Sequence, residues 1–271
     1  MIARLSAALL LAAAILLIGA SLAAARAGNY LLVVALPFLP FALMGLSFAL
    51  EAVLLKRSRS DDPTPEPPWP LLARALLGEA MAAVPRFFWH QAWAWSSESQ
   101  NVDALRHRGR TGLILVHGYF CNHGFWWNWK ARLAREDQPF LAVTLEPAFG
   151  DIGHTANIIE AAVQRVHELT GRPVVIVAHS MGGLAVRNWW AQHPASGSDR
   201  VREVITIGSP HQGTELAFLA HTTNGRQMKV GGPWLEDLSR REPTDRAQRF
   251  TCFYGPVSYT HLRAHETKAN L

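Results

Sequence analysis

The stretch Pro173–Gly183, PVVIVAHSMGG, restricts the fold more than any other part of the chain. A run of β-branched residues leads straight into a serine flanked by small residues, and a helical pattern starts on its far side. That reads as a buried strand, a very tight turn and a helix, with Ser180 at the apex. The usual form of such a turn is G-x-S-x-G; here it is Ala178-His179-Ser180-Met181-Gly182. Small residues two before and two after the serine let strand and helix pass closely. The turn then lifts the hydroxyl clear of the sheet. The Met181 N–H belongs to the first helical turn, where the positive dipole end faces a developing anion. The bland alternative is an ordinary strand-to-helix turn containing a serine. A second motif weighs against it.

Upstream, Leu113-Ile114-Leu115-Val116 is again a buried-type strand, and it ends in His117-Gly118-Tyr119-Phe120-Cys121-Asn122. Gly118 lets the backbone turn sharply. His117 and His179 are expected to shape the loops, His117 by hydrogen bonding and His179 pointing away from Ser180. The other elements alternate. Phe140 to Leu145 reads as a strand, and Ile158, Ile159, Ala162, Val163, Val166 and Leu169 as a helical stripe closed by Gly171 and Pro173. Leu184 to Trp190 continues the helix after Ser180, and Arg249 to Gly255 is a further strand. Phe125, Trp129 and Leu133 share a helical face. This order predicts an α/β fold: a mostly parallel sheet covered by helices on both faces.

These motifs together resemble the α/β-hydrolase superfamily, and within it the bacterial lipase and esterase branch, where Ala-His-Ser-Met-Gly replaces the first glycine. The run Gly208-Ser209-Pro210-His211-Gln212-Gly213-Thr214 after the next strand is similar to a segment of the same branch. The resemblance covers Thr111 to Gly255. It implies that Ser180 is the nucleophile, that Tyr119 and Met181 N–H groups form the oxyanion hole, and that His117, Gly118, His179, Gly182 and His211 shape the site. It also implies an acid after the strand ending at Gly255 and a histidine later still. From Pro256 onward no aspartate stands at the expected position, and no final strand or helix is readable. Val257 to Thr267 resembles a translated sequencing adapter, so native sequence is expected to stop near Gly255 in this chain, the full-length protein to carry its acid and histidine in a missing segment, and the truncated chain to be nearly inactive. His261 and His265 are poor candidates for the base, and Asp237 and Asp245 are expected at the surface. No metal and no organic cofactor is implied.

The N-terminal region reads differently. Leu5 to Ala25 is roughly 21 residues without charge, against ~20 for a membrane-crossing helix. Tyr30 to Leu50 is a second apolar run, interrupted by Pro37 and Pro40. Together they predict a transmembrane helical hairpin over residues 1–59; a signal peptide is the alternative for the first run. A proline-rich linker follows over 60–70, an aromatic-rich helical segment over 71–110, the incomplete hydrolase core over 111–255 and the non-native tail over 256–271. Arg4, Lys56, Arg57 and Arg59 favour a two-pass bacterial inner-membrane protein with its catalytic domain in the cytoplasm, although Arg26 weakens that orientation. The net charge of +5 comes with no nucleic-acid-binding motif, so the basic residues are matched to anionic head groups. Cys121 and Cys252 give no disulfide framework.

Phe87, Phe88, Trp89, Trp93 and Trp95 suit either a membrane interface or packing on the sheet. Trp126, Trp127 and Phe149 suit either an acyl pocket or the core. Met228 to Leu238 falls where cap helices are inserted. The expected function is membrane-anchored hydrolysis of lipid or other carboxylic esters. A thioesterase or acyltransferase on the same scaffold, or a non-catalytic membrane-tethered binding protein, are the alternatives.

Overall fold

The β-branched runs fold into the middle of one sheet. The structure, a computed structural model, describes residues 1–43, 68–83, 89–96, 98–103, 106–243 and 246–253, with residues 45, 46, 49 and 85 besides. Among these, six strands pair: β1 (Glu98–Asn101), β2 (Leu113–Val116), β3 (Phe140–Val143), β4 (Val174–His179), β5 (Val201–Ile207) and β6 (Phe250–Phe253). Their order is β1-β3-β2-β4-β5-β6. All neighbours run parallel except β1, which pairs antiparallel at the edge beyond β3. The chain leaves β2 toward β3 on one side and then returns to β4 on the other. The carboxyl ends of β2 and β4 therefore flank a topological switch point, where open α/β sheets bind ligands.

Alternate side chains of the central strands enter two cores, as a sheet buried on both faces requires. Ile114, Val116, Leu141, Val143, Ile176, Ala178 and Val204 face one cluster, and Leu115, Phe140, Ala142 and Val177 the other. The first is covered by α5 (Ala156–Thr170) and α6 (Met181–Gln192). In α5, Ile159, Ala162, Val163 and Val166 form the buried stripe, and Gly171 ends the helix in a left-handed conformation (φ 69°). In α6 every residue from Met181 to Trp190 is buried. The Trp189 indole donates to Glu160 Oε2 (2.9 Å), and Ser196 and Arg200 of α7 (Pro194–Arg200) bind the other oxygen of the same carboxylate. The second core lies under α4 (Trp127–Arg135) and the turn before it. There Trp126 is fully buried, Phe125 and Leu133 pack beside it, and Trp129 is exposed with its ring edge-on to that of Trp126.

The N-terminal segment forms α1 (Ile2–Arg26), and among the described residues this is the one helix long and apolar enough to cross a membrane. The second apolar stretch forms a shorter helix, α2 (Tyr30–Leu43). A hairpin of two spans is therefore not shown. Residues 60–67 of the expected linker, and the aromatics Phe87 and Phe88, lie outside the described residues. Trp69 and Pro70, assigned to that linker, instead open the helix α3 (Trp69–Ala83). A proline in a first turn gives up no intrahelical hydrogen bond. The tail 256–271 also lies outside the described residues, with His261 and His265.

Candidate active site

Ser180 joins β4 to α6 with φ 52° and ψ −128°. A non-glycine residue in that region costs about 1–3 kcal/mol, which the surroundings must offset. They hold it tightly. The Ser180 N–H donates to the Ile207 carbonyl of β5 (2.9 Å), and its own carbonyl accepts from Gly183 N–H (3.0 Å). Close approach on every side depends on missing side chains. A Cβ on Gly182 would lie 2.6 Å from the His117 carbonyl oxygen and 2.9 Å from that of Val116. A Cβ on Gly183 would collide with the Ser209 hydroxyl. The spacing of small residues read from the sequence thus has a direct steric reason.

His117 lies at the end of β2 and is buried. Its Nδ1 is 2.8 Å from the Gly118 carbonyl oxygen, and its Nε2 accepts from the Leu145 N–H (2.9 Å). With Nε2 an acceptor, Nδ1 carries the proton and donates to Gly118. Burial pushes its pKa down to about 4, so it is neutral at pH 7. The ring ties the loop after β2 to the loop after β3. His179 stacks on Phe125, with ring centroids 4.4 Å apart. His211 is buried; its Nε2 shares a hydrogen bond with Thr206 Oγ1 (3.0 Å) and lies 3.6 Å from Cys252 Sγ. Its carbonyl accepts from Arg187 (2.5 Å), itself held by two bonds to Glu242 (2.6 and 2.8 Å). None of the described histidines is hydrogen-bonded to the Ser180 hydroxyl. Asp237 pairs with Arg241 on α8 (Pro233–Arg241), at the surface; Asp245 lies outside the described residues.

A cavity of ≈ 260 Å³ opens beside Ser180, lined by Tyr119, Pro210, Leu216, Ala217, Ala220 and Met228 among others. Its wall is mostly apolar. The Tyr119 hydroxyl lies 3.0 Å from Thr222 Oγ1, which ties the loop after β2 to the segment between β5 and α8. Met181, at the first position of α6, has an N–H with no intrahelical acceptor. Of the aromatics considered for a pocket, Trp126 is in the core. Trp127 is exposed and stacks on His90. Phe149 packs against Tyr119 and Phe120. The cavity residues between Thr214 and Gly225 escaped sequence reading. Their one legible signal is the run of small residues Ala217, Ala220 and Gly225, and small residues have many other uses. Among the described residues no group of His, Cys, Asp and Glu is arranged to hold a metal.

A family model described as "Alpha/beta hydrolase family" matches residues 113–267, more than half of the chain. No curated protein gives a significant match. Among solved structures, the lipase BlEst2 of Bacillus licheniformis in its mature form is 20% identical with a TM-score of 0.47, over 58% of this chain and 69% of that one. Lipase B of Aspergillus fumigatus is 18% identical with a TM-score of 0.46, over 52% and 36%. The phospholipase PlaB of Legionella pneumophila is 16% identical with a TM-score of 0.42, over 53% and 38%. The match thus spans little more than a third of the length of the last two.

Proposed function

The chain belongs to the alpha/beta hydrolase family, and from that premise we propose that it is a membrane-anchored serine hydrolase that cleaves carboxylic esters through an acyl-enzyme on Ser180. The observation that carries this reading is the Ser180 turn itself. A serine is held at φ 52° on the switch point of the sheet, at the wall of a largely apolar cavity. In the proposed reaction Ser180 Oγ attacks the ester carbonyl carbon, and the C=O electron pair moves onto oxygen. The Tyr119 and Met181 N–H groups hold that oxyanion, each worth about 10²–10³ in turnover. A histidine takes the serine proton and passes it to the departing alcohol. Water then releases the acyl group by the same route in reverse. In the family's chain order the acid and that histidine would follow β6, in the segment expected to be missing from this chain. His117, neutral and fully engaged with two loops, serves as a brace in this scheme. His211 shapes the cleft wall. The long apolar helix α1 supports the anchoring. The experiment is ester hydrolysis by the full-length protein and by its Ser180→Ala variant. Turnover in the variant should fall to background, and turnover near the wild-type rate would overturn the assignment.

A further inference from the structure

We infer that the carboxyl edge of the sheet is a bilayer-docking face, so that Ser180 meets acyl lipids drawn from the membrane. The substrate class rests on the ester-hydrolase reading above; the docking rests on geometry alone. Helix α1 is rooted on this edge. Ile2 and Ala3 are buried, and the first turn of α1 lines one cavity of ≈ 670 Å³ with Trp95, Asn122, Thr144 and Glu146. Asn122 follows β2, and Thr144 and Glu146 follow β3, just as Ser180 follows β4. Val116 pairs with both Val143 and Ala178. At ~4.8 Å between strands, the root of α1 lies about 10 Å across the sheet from the Ser180 turn. The 25 residues of α1 reach ~37 Å at 1.5 Å each, enough for a hydrocarbon core of ~30 Å. If α1 crosses the bilayer, its root, and with it this edge, stands at the head groups.

The edge is built for that position. Residues 89–96 are clasped to the loop after β2. Asn122 donates two hydrogen bonds to Gln91 (2.9 Å each), and a Cβ on Gly124 would lie 2.5 Å from the His90 carbonyl oxygen. This clasp holds Trp89, Trp93 and Trp95 outward, 61%, 61% and 58% exposed. Tryptophan favours the membrane–water interface. Phe120, beside Tyr119, and Phe218 and Leu219, beside the Ser180 cavity, are exposed too. Lys229 lies over the Phe218 ring, 4.6 Å from its centroid, and suits a lipid phosphate. Continuity of this surface with α1 favours a bilayer over a protein partner.

The test uses full-length protein in phosphatidylcholine vesicles carrying acyl-brominated lipid. A fluorophore is placed on Trp93→Cys, Phe218→Cys or, at the opposite edge before β4, Arg172→Cys, with Cys121 and Cys252 changed to alanine. Quenching several-fold stronger at 93 and 218 than at 172 is expected. If that background does not fold, intrinsic tryptophan emission gives the same readout, bromolipid quenching being expected to weaken in Trp93→Phe and Trp95→Phe. Equal, weak quenching at all three positions overturns the docking. So does a blue shift at 93 and 218 without quenching, which marks a second copy or another protein on the face. Ester turnover on the same vesicles separates the two proposals. Turnover without quenching removes the docking alone, whereas quenching without turnover upholds docking and counts against the hydrolase reading.

Discussion

A Cβ built on Gly118 would lie 2.8 Å from the Cβ of Ser180 and 3.1 Å from the carbonyl oxygen of His179. The loop after β2 and the turn after β4 therefore touch through a position that has no room for a side chain. Gly118 is not among the residues with positive φ, so space and not backbone angle selects glycine there. Gly118→Ala must push Tyr119 and Ser180 apart by a few tenths of an ångström. Ester turnover is expected to fall about 10²-fold, while the thermal midpoint moves by only a few degrees. Equal loss in Gly118→Ala and in a core variant of matched stability would argue against a positional effect.

The buried Arg187–Glu242 pair joins α6 to the end of α8, with the two side chains only 4% and 6% exposed. It also fixes the His211 carbonyl through Arg187. Removing one partner strands the other charge, so Arg187→Met is expected to destabilise by about 3–5 kcal/mol. The double variant Arg187→Met/Glu242→Leu should recover part of that loss, as urea unfolding of all three proteins would show.

The strands were readable because their apolar runs are buried on both faces, and the helix α5 because Gly171 and Pro173 close it. The edge strand β1 was not. Its sequence Glu-Ser-Gln-Asn carries no apolar alternation, since it pairs on one side only and has little core to face. At the site, the Ser180 turn and the His-Gly loop were legible because steric need writes glycine into the sequence at 118 and 182. The bond from Leu145 N–H to His117, 28 residues away, and the pairing of Arg187 with Glu242, 55 residues away, leave no local pattern. Trp126 and Trp127 are adjacent and chemically identical, yet one is core and the other surface. Only the helical phase after Asn122 decides which.

Burial holds His117 near pKa 4, below its ordinary 6.5. His123 is likewise held to about 4, chiefly by burial and then by Lys130. Unfolding restores ordinary values, so between pH 4 and 6.5 the unfolded chain binds more protons. Stability is then full above pH 6.5 and declines as pH falls toward 4. At ~1.4 kcal/mol per pKa unit, the loss amounts to a few kcal/mol. Urea midpoints should drop steeply from pH 7 to pH 4.5. His117→Gln should be less stable at pH 7 and show a shallower decline.

The cavity beside Ser180 holds ≈ 260 Å³. Its largely apolar wall favours an acyl chain over an acetyl group. A series of p-nitrophenyl esters should give a higher kcat/KM for longer acyl chains than for acetate. Ala217→Phe should shift the optimum to shorter chains and leave acetate turnover within about threefold.

The most direct test of the central claim is covalent trapping. Full-length protein is treated with a fluorophosphonate, digested, and its peptides sequenced by mass spectrometry. The predicted result is one stoichiometric adduct on Ser180, accompanied by loss of esterase activity, and no adduct in Ser180→Ala. An inactivating adduct on any other residue, with Ser180 unmodified, would contradict the account.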